Sequence, residues 1–287
     1  MYQIIDINED NLDSYVGYLG NDLAENIGRI YYRGMVVTDD STDEPVSGMV
    51  WMLKNVEKDA DNESNIIWIR CDDKESFDTM INAYAERVKS EEVVRSRAFI
   101  PVKNGKEMKA MLIGKGFNMR LSESDFVLMK LSELSKMPMM ERMRKMPIPE
   151  GIMPINQLTM RIFRKGISKC VSQGRFGLCD DLGELGMLWF EDDVSCASTV
   201  DGAVNGFLLF HKRPSGVLAI QLMVCLDKSF KTTLPFMMSQ FVRAMEEKYD
   251  PDTLVEIDRH DEQALLLTEK LLPRGFGIPI YSGGREE

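Results

Sequence analysis

The stretch Gly216–Glu246, GVLAIQLMVCLDKSFKTTLPFMMSQFVRAME, decides how the rest of the chain is read. Its first part, Val217 to Cys225, is apolar almost throughout, the composition of a strand buried on both faces. Asp227 ends that run, and Lys228, Ser229, Lys231, Thr232 and Thr233 follow. Leu234, Met237, Met238, Phe241, Val242 and Met245 then recur at helical spacing and form one apolar stripe. Pro235 has no N–H and is tolerated in a first turn, so the pattern predicts a helix start near Thr232 or Thr233. Strand, loop and helix in this order make a place for an anion. The first N–H groups of a helix lack intrahelical partners, and the helix dipole adds partial positive charge there.

The same order occurs earlier in the chain, in SNIIWIRCDDKESFDTMINAYAERV, residues 64–88. Both stretches follow a Val-x-Gly segment, EPVSGMVWMLKN in one case and GAVNGFLLFHKR in the other. Each carries Cys-x-Asp-Lys and then Ser-Phe-x-Thr. Gly48 matches Gly206, Cys71 matches Cys225, Phe77 matches Phe230, and Phe117 in MLIGKGF matches Phe276 in KLLPRGF, all at nearly constant spacing. A repeat this long marks two copies of one domain rather than a solenoid. Between them lies SELSKMPMMERMRKMPIPEG, Ser132–Gly151, where Pro138, Pro147 and Pro149 exclude a long helix or central strand. The reading gives a first domain over 1–131, a Pro- and Met-rich linker over 132–149 with its methionines packed along the join, and a second domain over 150–287.

Within each copy, Val46–Leu53 and Val204–Phe210 read as the second arms of hairpins, after the turns DDSTDEP and VDGA. Ile66–Arg70 and Val217–Cys225 read as buried strands, with helices after them. Phe77, Met80, Ile81, Tyr84, Ala85 and Val88 form the first helix's apolar face. Ser96–Val102 and Thr253–Asp258 read as the next strands, and short helices lead into Gly116-Phe117 and Gly275-Phe276. DFVLMKL, Asp125–Leu131, is expected as the last strand of the first copy. The fold class is therefore mixed α/β: two domains in tandem, each a mixed, mostly antiparallel sheet flanked by helices.

Composition narrows the partners. The chain has 287 residues, 44% of them hydrophobic, and a formal net charge of -11. An acidic surface argues against nucleic acid or an anionic membrane as a general partner. The start MYQIIDINEDNLDSY places acids where a secretory leader needs a basic and then an apolar run, and GVLAIQLMVCL is too short to span a bilayer. The five cysteines are scattered, with no C-x-x-C pair, which fits reduced thiols in a cytoplasmic setting. With only two histidines, His211 and His260, far apart, no metal site is expected.

The Val-x-Gly hairpin strand, the apolar strand before the loop, the amphipathic helix and the late Gly-Phe together resemble the GNAT superfamily of N-acetyltransferases. The resemblance covers both halves, about residues 1–131 and 150–281, and WFEDDVSCASTVDGAVNGFLLF, Trp189–Phe210, is its most family-like stretch. It implies that the fourth strand and the following helix of a copy cradle acetyl-CoA or another acyl-CoA, with the loop between them on the diphosphate. In the second copy these positions are Leu222 and Val224 on the strand and Lys228, Ser229, Lys231, Thr232 and Thr233 at the loop and helix start. The family's loop reads Arg/Gln-x-x-Gly-x-Gly/Ala. Here Ser229, Thr232 and Leu234 stand at those positions, and Ser76, Thr79 and Ile81 in the first copy. Hydroxyls at these places are also ordinary helix caps.

The two loops differ in charge. Asp72, Asp73, Glu75 and Asp78 surround Lys74 in the first, whereas the second has Lys228 and Lys231 against Asp227. The second copy is therefore the candidate acyl-CoA domain. Many family members place a tyrosine four residues before the late Gly-Phe to protonate the leaving thiolate. Leu112 and Leu271 stand there and have no proton to give. In EIDRHDEQ, Glu256–Gln263, His260 is the candidate proton acceptor, because an imidazole titrates near neutrality. Cys225 reads as a small core residue. Trp189, Phe190 and Asp192 are candidates for the acceptor side. The expected activity is acyl transfer from acyl-CoA to the amine of a small molecule or peptide. The alternative is a tandem frame that has lost its chemistry and serves as a ligand-binding or interaction module.

Overall fold

A computed structural model describes the whole chain except residues 1, 59, 104, 125, 179, 228, 229, 260–267, 269–271 and 273–275, and describes residues 230–232 by their backbone only. The chain forms two compact units, Met1–Ser124 with Pro279–Glu287, and Asp125–Ile278.

The first unit contains strands β1 (Tyr2–Ile7), β2 (Tyr32–Asp39), β3 (Pro45–Lys54), β4 (Glu63–Cys71), β5 (Arg95–Pro101) and β6 (Arg120–Glu123). Its helices are α1 (Val16–Leu19), α2 (Asn21–Ala24), α3 (Lys74–Ser90) and α4 (Lys106–Gly114). The second unit contains β7 (Phe126–Lys130), α5 (Leu131–Leu134), α6 (Pro138–Lys145), β8 (Ile152–Pro154), α7 (Met160–Ser172), β9 (Cys196–Val200), β10 (Ala203–Lys212), β11 (Leu218–Cys225), α8 (Phe230–Lys248) and β12 (Leu254–Asp258). The last strand, β13 (Pro279–Glu286), returns to the first unit.

The first sheet has the order β1-β2-β3-β4-β5-β13-β6 and the second β7-β12-β11-β10-β9-β8. Neighbours are antiparallel except β4 with β5 and β11 with β12. Those two pairs are parallel because α3 and α8 carry the chain back to the starting edge. The mixed architecture agrees with the sequence reading, as do the positions of β3, β4, α3, β10 and β11.

The final strands do not follow the order of the copies. β7, the core of the DFVLMKL segment expected to close the first copy, pairs with β12 in the second sheet, from Leu254↔Lys130 to Asp258↔Phe126. The first sheet is completed by β13, which pairs with β5 over Pro101–Arg95 and with β6 over Glu123–Arg120. Its glycines explain the fit: a Cβ at Gly283 would lie 2.2 Å from the carbonyl oxygen of Asn118, and one at Gly284 2.8 Å from that of Ser96. The expected division at residues 131 and 132 therefore differs from the compact units. So does the expected linker. α6 starts with Pro138 in its first turn, where a missing N–H costs nothing. Leu131, Leu134, Met140 and Met143 are buried in the core beneath α8. Arg144 forms an ion pair with Glu246, and Arg243 donates to the carbonyl oxygen of Arg144. Residues 132–149 thus build the second unit's core, drawn there by methionines that the sequence reading had placed along a join.

The first unit's main core lies under α3 and centres on Trp51, Phe77 and Tyr84. Trp51 and Tyr84 meet edge to face with ring centroids 5.3 Å apart. The Tyr84 hydroxyl lies 2.7 Å from both Ser64 Oγ and Ser96 Oγ, tying β4 to β5 inside the core. Burial pushes this phenol up to about 12. The unfolded chain ionises near the ordinary tyrosine value, so stability held below pH ~10 is lost as pH rises towards ~12. Tyr84→Phe is expected to lower stability at neutral pH by roughly 1–2 kcal/mol, by orphaning two buried serines. It should also flatten the alkaline fall, as urea titrations at neutral and alkaline pH would report.

The second unit's core under α8 is rich in methionine, and Phe210 stacks on Phe241 with centroids 4.4 Å apart. On its other face, Phe163 of α7 packs against Phe190 and Phe207. Gly166 allows this approach, since a Cβ there would lie 2.8 Å from the Phe207 ring. Among the described residues, no helix is long and apolar enough to cross a membrane.

Candidate functional site

The pairs β3–β4 and β10–β11 each carry an irregularity at the same place. β3 pairs with β4 as Val50↔Trp68 and then Trp51↔Ile66, leaving Ile67 as an extra residue. β10 pairs with β11 as Leu209↔Leu222 and then Phe210↔Ile220, leaving Gln221 extra. Ile67 and Gln221 are separated by the same interval as Cys71 and Cys225. A bulge bends its strand and raises its twist. Consequently β4 parts from β5 after Ile66↔Ala98, and β11 from β12 after Ala219↔Glu256. Beyond those pairs the described residues of β4 and β11 make no ladder on that side. Each unit therefore has a wedge edged by backbone N–H and C=O groups, the complement of an extended chain that carries amides of its own.

The mouth of the first wedge is filled from within. In the first unit the Asp73 carboxylate caps α3, accepting from the Ser76 backbone N–H at 2.9 Å and from the Tyr2 hydroxyl at 3.2 Å. The Ser76 N–H bond holds this carboxyl below its ordinary range. Asp72 lies 3.7 Å from Arg70, and the buried hydroxyl of Ser76 is bonded to Ser47 at 2.6 Å. Burial, aided by Asp72 and Asp73, pushes the Cys71 thiol up to about 11. The helix start is thus filled by its own negative charge, and an incoming diphosphate would be repelled.

In the second unit α8 begins at Phe230, so Pro235 sits in the second turn rather than the first expected from sequence. It offers no N–H to the carbonyl of Lys231. Lys228 and Ser229 lie outside the described residues, and Lys231 and Thr232 are described by backbone alone. Thr233 is half-buried. Leu222 and Val224 are 3% and 2% exposed, so what they offer at the wedge is main chain. Cys225 carries a thiol that burial pushes up to about 12, in keeping with a core role rather than a nucleophile.

His260, Asp261 and Leu271 lie outside the described residues, while Leu112 is fully buried. Glu256 is bound by Arg213 in an ion pair, and Asp258 is buried on the same strand. Phe190 belongs to the core, and Asp192 accepts from Asn156 at 3.4 Å. Asp192 also forms an acidic group with Glu191 and Asp193. Glu191 is bonded to the Tyr249 hydroxyl, which raises the phenol's pKa alongside burial, the larger cause.

Three features escaped the sequence reading. Gly177, with φ +67°, lies directly on the second bulge: its Cβ would be 2.2 Å from the Gln221 carbonyl oxygen, and the Leu178 N–H donates to that oxygen at 3.1 Å. Gln221 itself is the one polar residue in VLAIQLMVCL, a signal that could have marked the bulge. His211, next to last in β10, has its ring stacked on Trp189, centroids 4.0 Å apart and planes 2° from parallel. Its Nδ1 lies 2.8 Å from the Trp189 carbonyl oxygen.

The fold of the chain matches those of solved GNAT and N-acyltransferase structures. A tandem GNAT protein from the clavulanic acid biosynthesis pathway has a TM-score of 0.61 at 9% identity, covering 100% of this chain and 98% of that one. Saccharomyces cerevisiae N-myristoyltransferase, solved with myristoyl-CoA, has a TM-score of 0.54 at 11% identity, covering 99% and 78%. A probable N-acyltransferase from Enterococcus faecalis has a TM-score of 0.52 at 9% identity, covering 100% and 72%. No family model and no curated protein matches the chain. The chain has a tandem GNAT fold, the fold of acyl-CoA N-acyltransferases.

Proposed function

We propose that this protein is an acyl-CoA-dependent N-acyltransferase whose second unit holds the cofactor and whose first unit completes the structure. The observation that carries this reading is the bulge at Gln221, with the parting of β11 from β12 that follows it. A pantetheine arm is an extended chain with amides, and the main chain of Leu222 and Val224 borders the wedge that would take it. Lys228, Ser229, Lys231, Thr232 and Thr233 would hold the diphosphate through helix-start amides, hydroxyls and positive charge. Acetyl-CoA or another acyl-CoA supplies an activated acyl group as a thioester. The acceptor is the amine of a small molecule or peptide, and its proton needs a base, which the sequence assigns to His260. Asp73 at the first unit's mouth favours a non-catalytic role for that half.

Adding acetyl-CoA at about a hundredfold excess over its Kd stabilises the native state by about 2.7 kcal/mol, read as a rise in Tm of several degrees. Lys231→Glu is expected to abolish that rise and Lys74→Glu to leave it intact. No rise in the unaltered protein would remove the acyl-CoA reading, and a rise lost only with Lys74→Glu would move the site to the first unit.

A further inference from the structure

We propose that the outer face of α7 in the second unit is a docking surface for an acidic segment of a partner polypeptide; this does not depend on the acyltransferase reading above. The residues from Gly151 to Cys179 include no aspartate or glutamate, and they carry Arg161, Arg164, Lys165, Lys169 and Arg175. That stretch is +5 in a chain of net charge -11, which leaves -16 on the remainder. Arg161, Arg164, Lys165, Ser168, Lys169 and Ser172 recur at helical spacing and are all exposed on one face of α7. The opposite face, Phe163, Gly166, Ile167 and Cys170, is buried.

Two observations set this face apart from a merely solvated one. Arg164 donates to the Gly183 carbonyl oxygen at 3.0 Å, yet among the described residues none of the four cations from Arg161 to Lys169 has a carboxylate partner. Elsewhere in this acid-rich chain cations find carboxylates: Arg33 with Glu91, Arg87 with Asp6, Lys130 with Asp252, Arg144 with Glu246. The charges also oppose the helix that carries them. α7 is capped by Thr159, has no acid in its first turn, and places Arg161 there, where the helix dipole is positive. α3 shows the ordinary arrangement, with Glu75 in its first turn and Arg87 and Lys89 in its last. Helix stability therefore does not account for Arg161, whereas recognition of an anion outside the chain does.

Charge complementarity and size choose the occupant. The cations from Arg161 to Lys169 span about 12 Å of helix axis, a little over two turns, which an acidic helix or a short acidic tail matches. Arginine pairs with carboxylates through two parallel N–H groups, and lysine adds a point charge. A membrane fits poorly, because the apolar stripe of α7 packs on Phe190 and Phe207 instead of facing outward. An extended anionic surface would also meet the negative charge of the remainder. Nucleic acid meets the same repulsion, and the exposed face has no aromatic ring on which a base could stack.

Fluorescence anisotropy of a fluorescein-labelled decaglutamate, titrated with the whole chain at low and at moderate salt, measures the docking. The peptide is expected to bind, and to bind more weakly as salt rises. Arg161→Glu, Lys165→Glu and Lys169→Glu together should lower its affinity by about tenfold or more. Lys89→Glu, Lys103→Glu and Lys106→Glu change the net charge equally at exposed positions of the first unit. They should lower the affinity by less than about threefold. Circular dichroism verifies that both variants fold. No binding by the unaltered chain overturns the proposal, as does an equal loss in the two variants, which would trace binding to the overall field. Phosphatidylserine vesicles and a single-stranded oligonucleotide of equal length are run in parallel. Tighter binding to either, lost with the α7 substitutions, gives the face to lipid or nucleic acid instead. Sedimentation of the chain alone at low salt tests a second copy as the occupant, and self-association abolished by the same substitutions also overturns the proposal.

Discussion

A chain cut within residues 132–149 is expected to yield two pieces that do not fold separately but recover native structure when mixed. The piece ending there retains β5 and β6 but lacks β13, which lies between them. It loses the ladder from Ile280↔Pro101 to Glu286↔Arg95 and the burial of Ile280 and Tyr281. Deleting one large buried side chain costs about 2–5 kcal/mol, against the roughly 5–15 kcal/mol that holds a domain folded. Losing two of them, about 4–10 kcal/mol, together with a central ladder takes up that margin. The other piece lacks β7, whose Val127 and Met129 are buried in the second core. It keeps β13 with no sheet to join, and an unpaired strand of that kind promotes association. Far-UV circular dichroism and urea unfolding of each piece, and of the mixture, measure this. Native-like spectra and cooperative unfolding from either piece alone would show that the strand from the far end of the chain is dispensable. Ending the chain at residue 278 should likewise unfold the first unit.

Gly177→Ala is expected to destabilise the second unit by roughly 2–4 kcal/mol and to weaken acyl-CoA binding with it. The left-handed backbone at this position costs a residue with a Cβ about 1–2 kcal/mol. The added methyl would lie 2.2 Å from a carbonyl oxygen, so the segment must lift and break the Leu178–Gln221 bond, worth about 1 kcal/mol. Gly216→Ala is the matched comparison: φ is +88° there, but a Cβ meets nothing within 4 Å. It should show the backbone cost alone. Equal losses of Tm in the two variants would mean that the segment does not bear on the bulge.

Within the site, the acidic cap at the first unit's mouth was legible in the residues. Asp73 is a single acidic side chain adjacent to a helix start, and an acid there caps. The histidine was not legible. His211, next to last in β10, attracts no attention in one dimension; its stack on Trp189 is made by a separate segment brought beside it. The helix start in the second unit was read from proline chemistry, yet α8 begins two residues earlier than Thr232 and accommodates Pro235 in its second turn. A missing N–H costs one hydrogen bond, which the apolar face from Leu234 to Met245, buried on the sheet, outweighs.

What the amino-acid order determined by itself is the repeat and the local elements. Apolar periodicity, capping residues and the turns before the Val-x-Gly strands act over a few neighbours, so β3, β4, α3, β10, β11 and most of α8 could be placed from the residues alone. What only the tertiary structure decided is which strand closes which sheet, and where the wedge opens. A strand's pattern states that one face is buried, not which neighbour supplies its hydrogen bonds. DFVLMKL and PIYSGGRE satisfy that requirement equally well beside several edges. The choice between edges rests on contacts across the whole chain, such as Gly283 against Asn118 and Val127 in the core beneath α8. A bulge, likewise, exists only relative to a partner strand, so Ile67 and Gln221 became distinctive once β3 and β10 were paired against them.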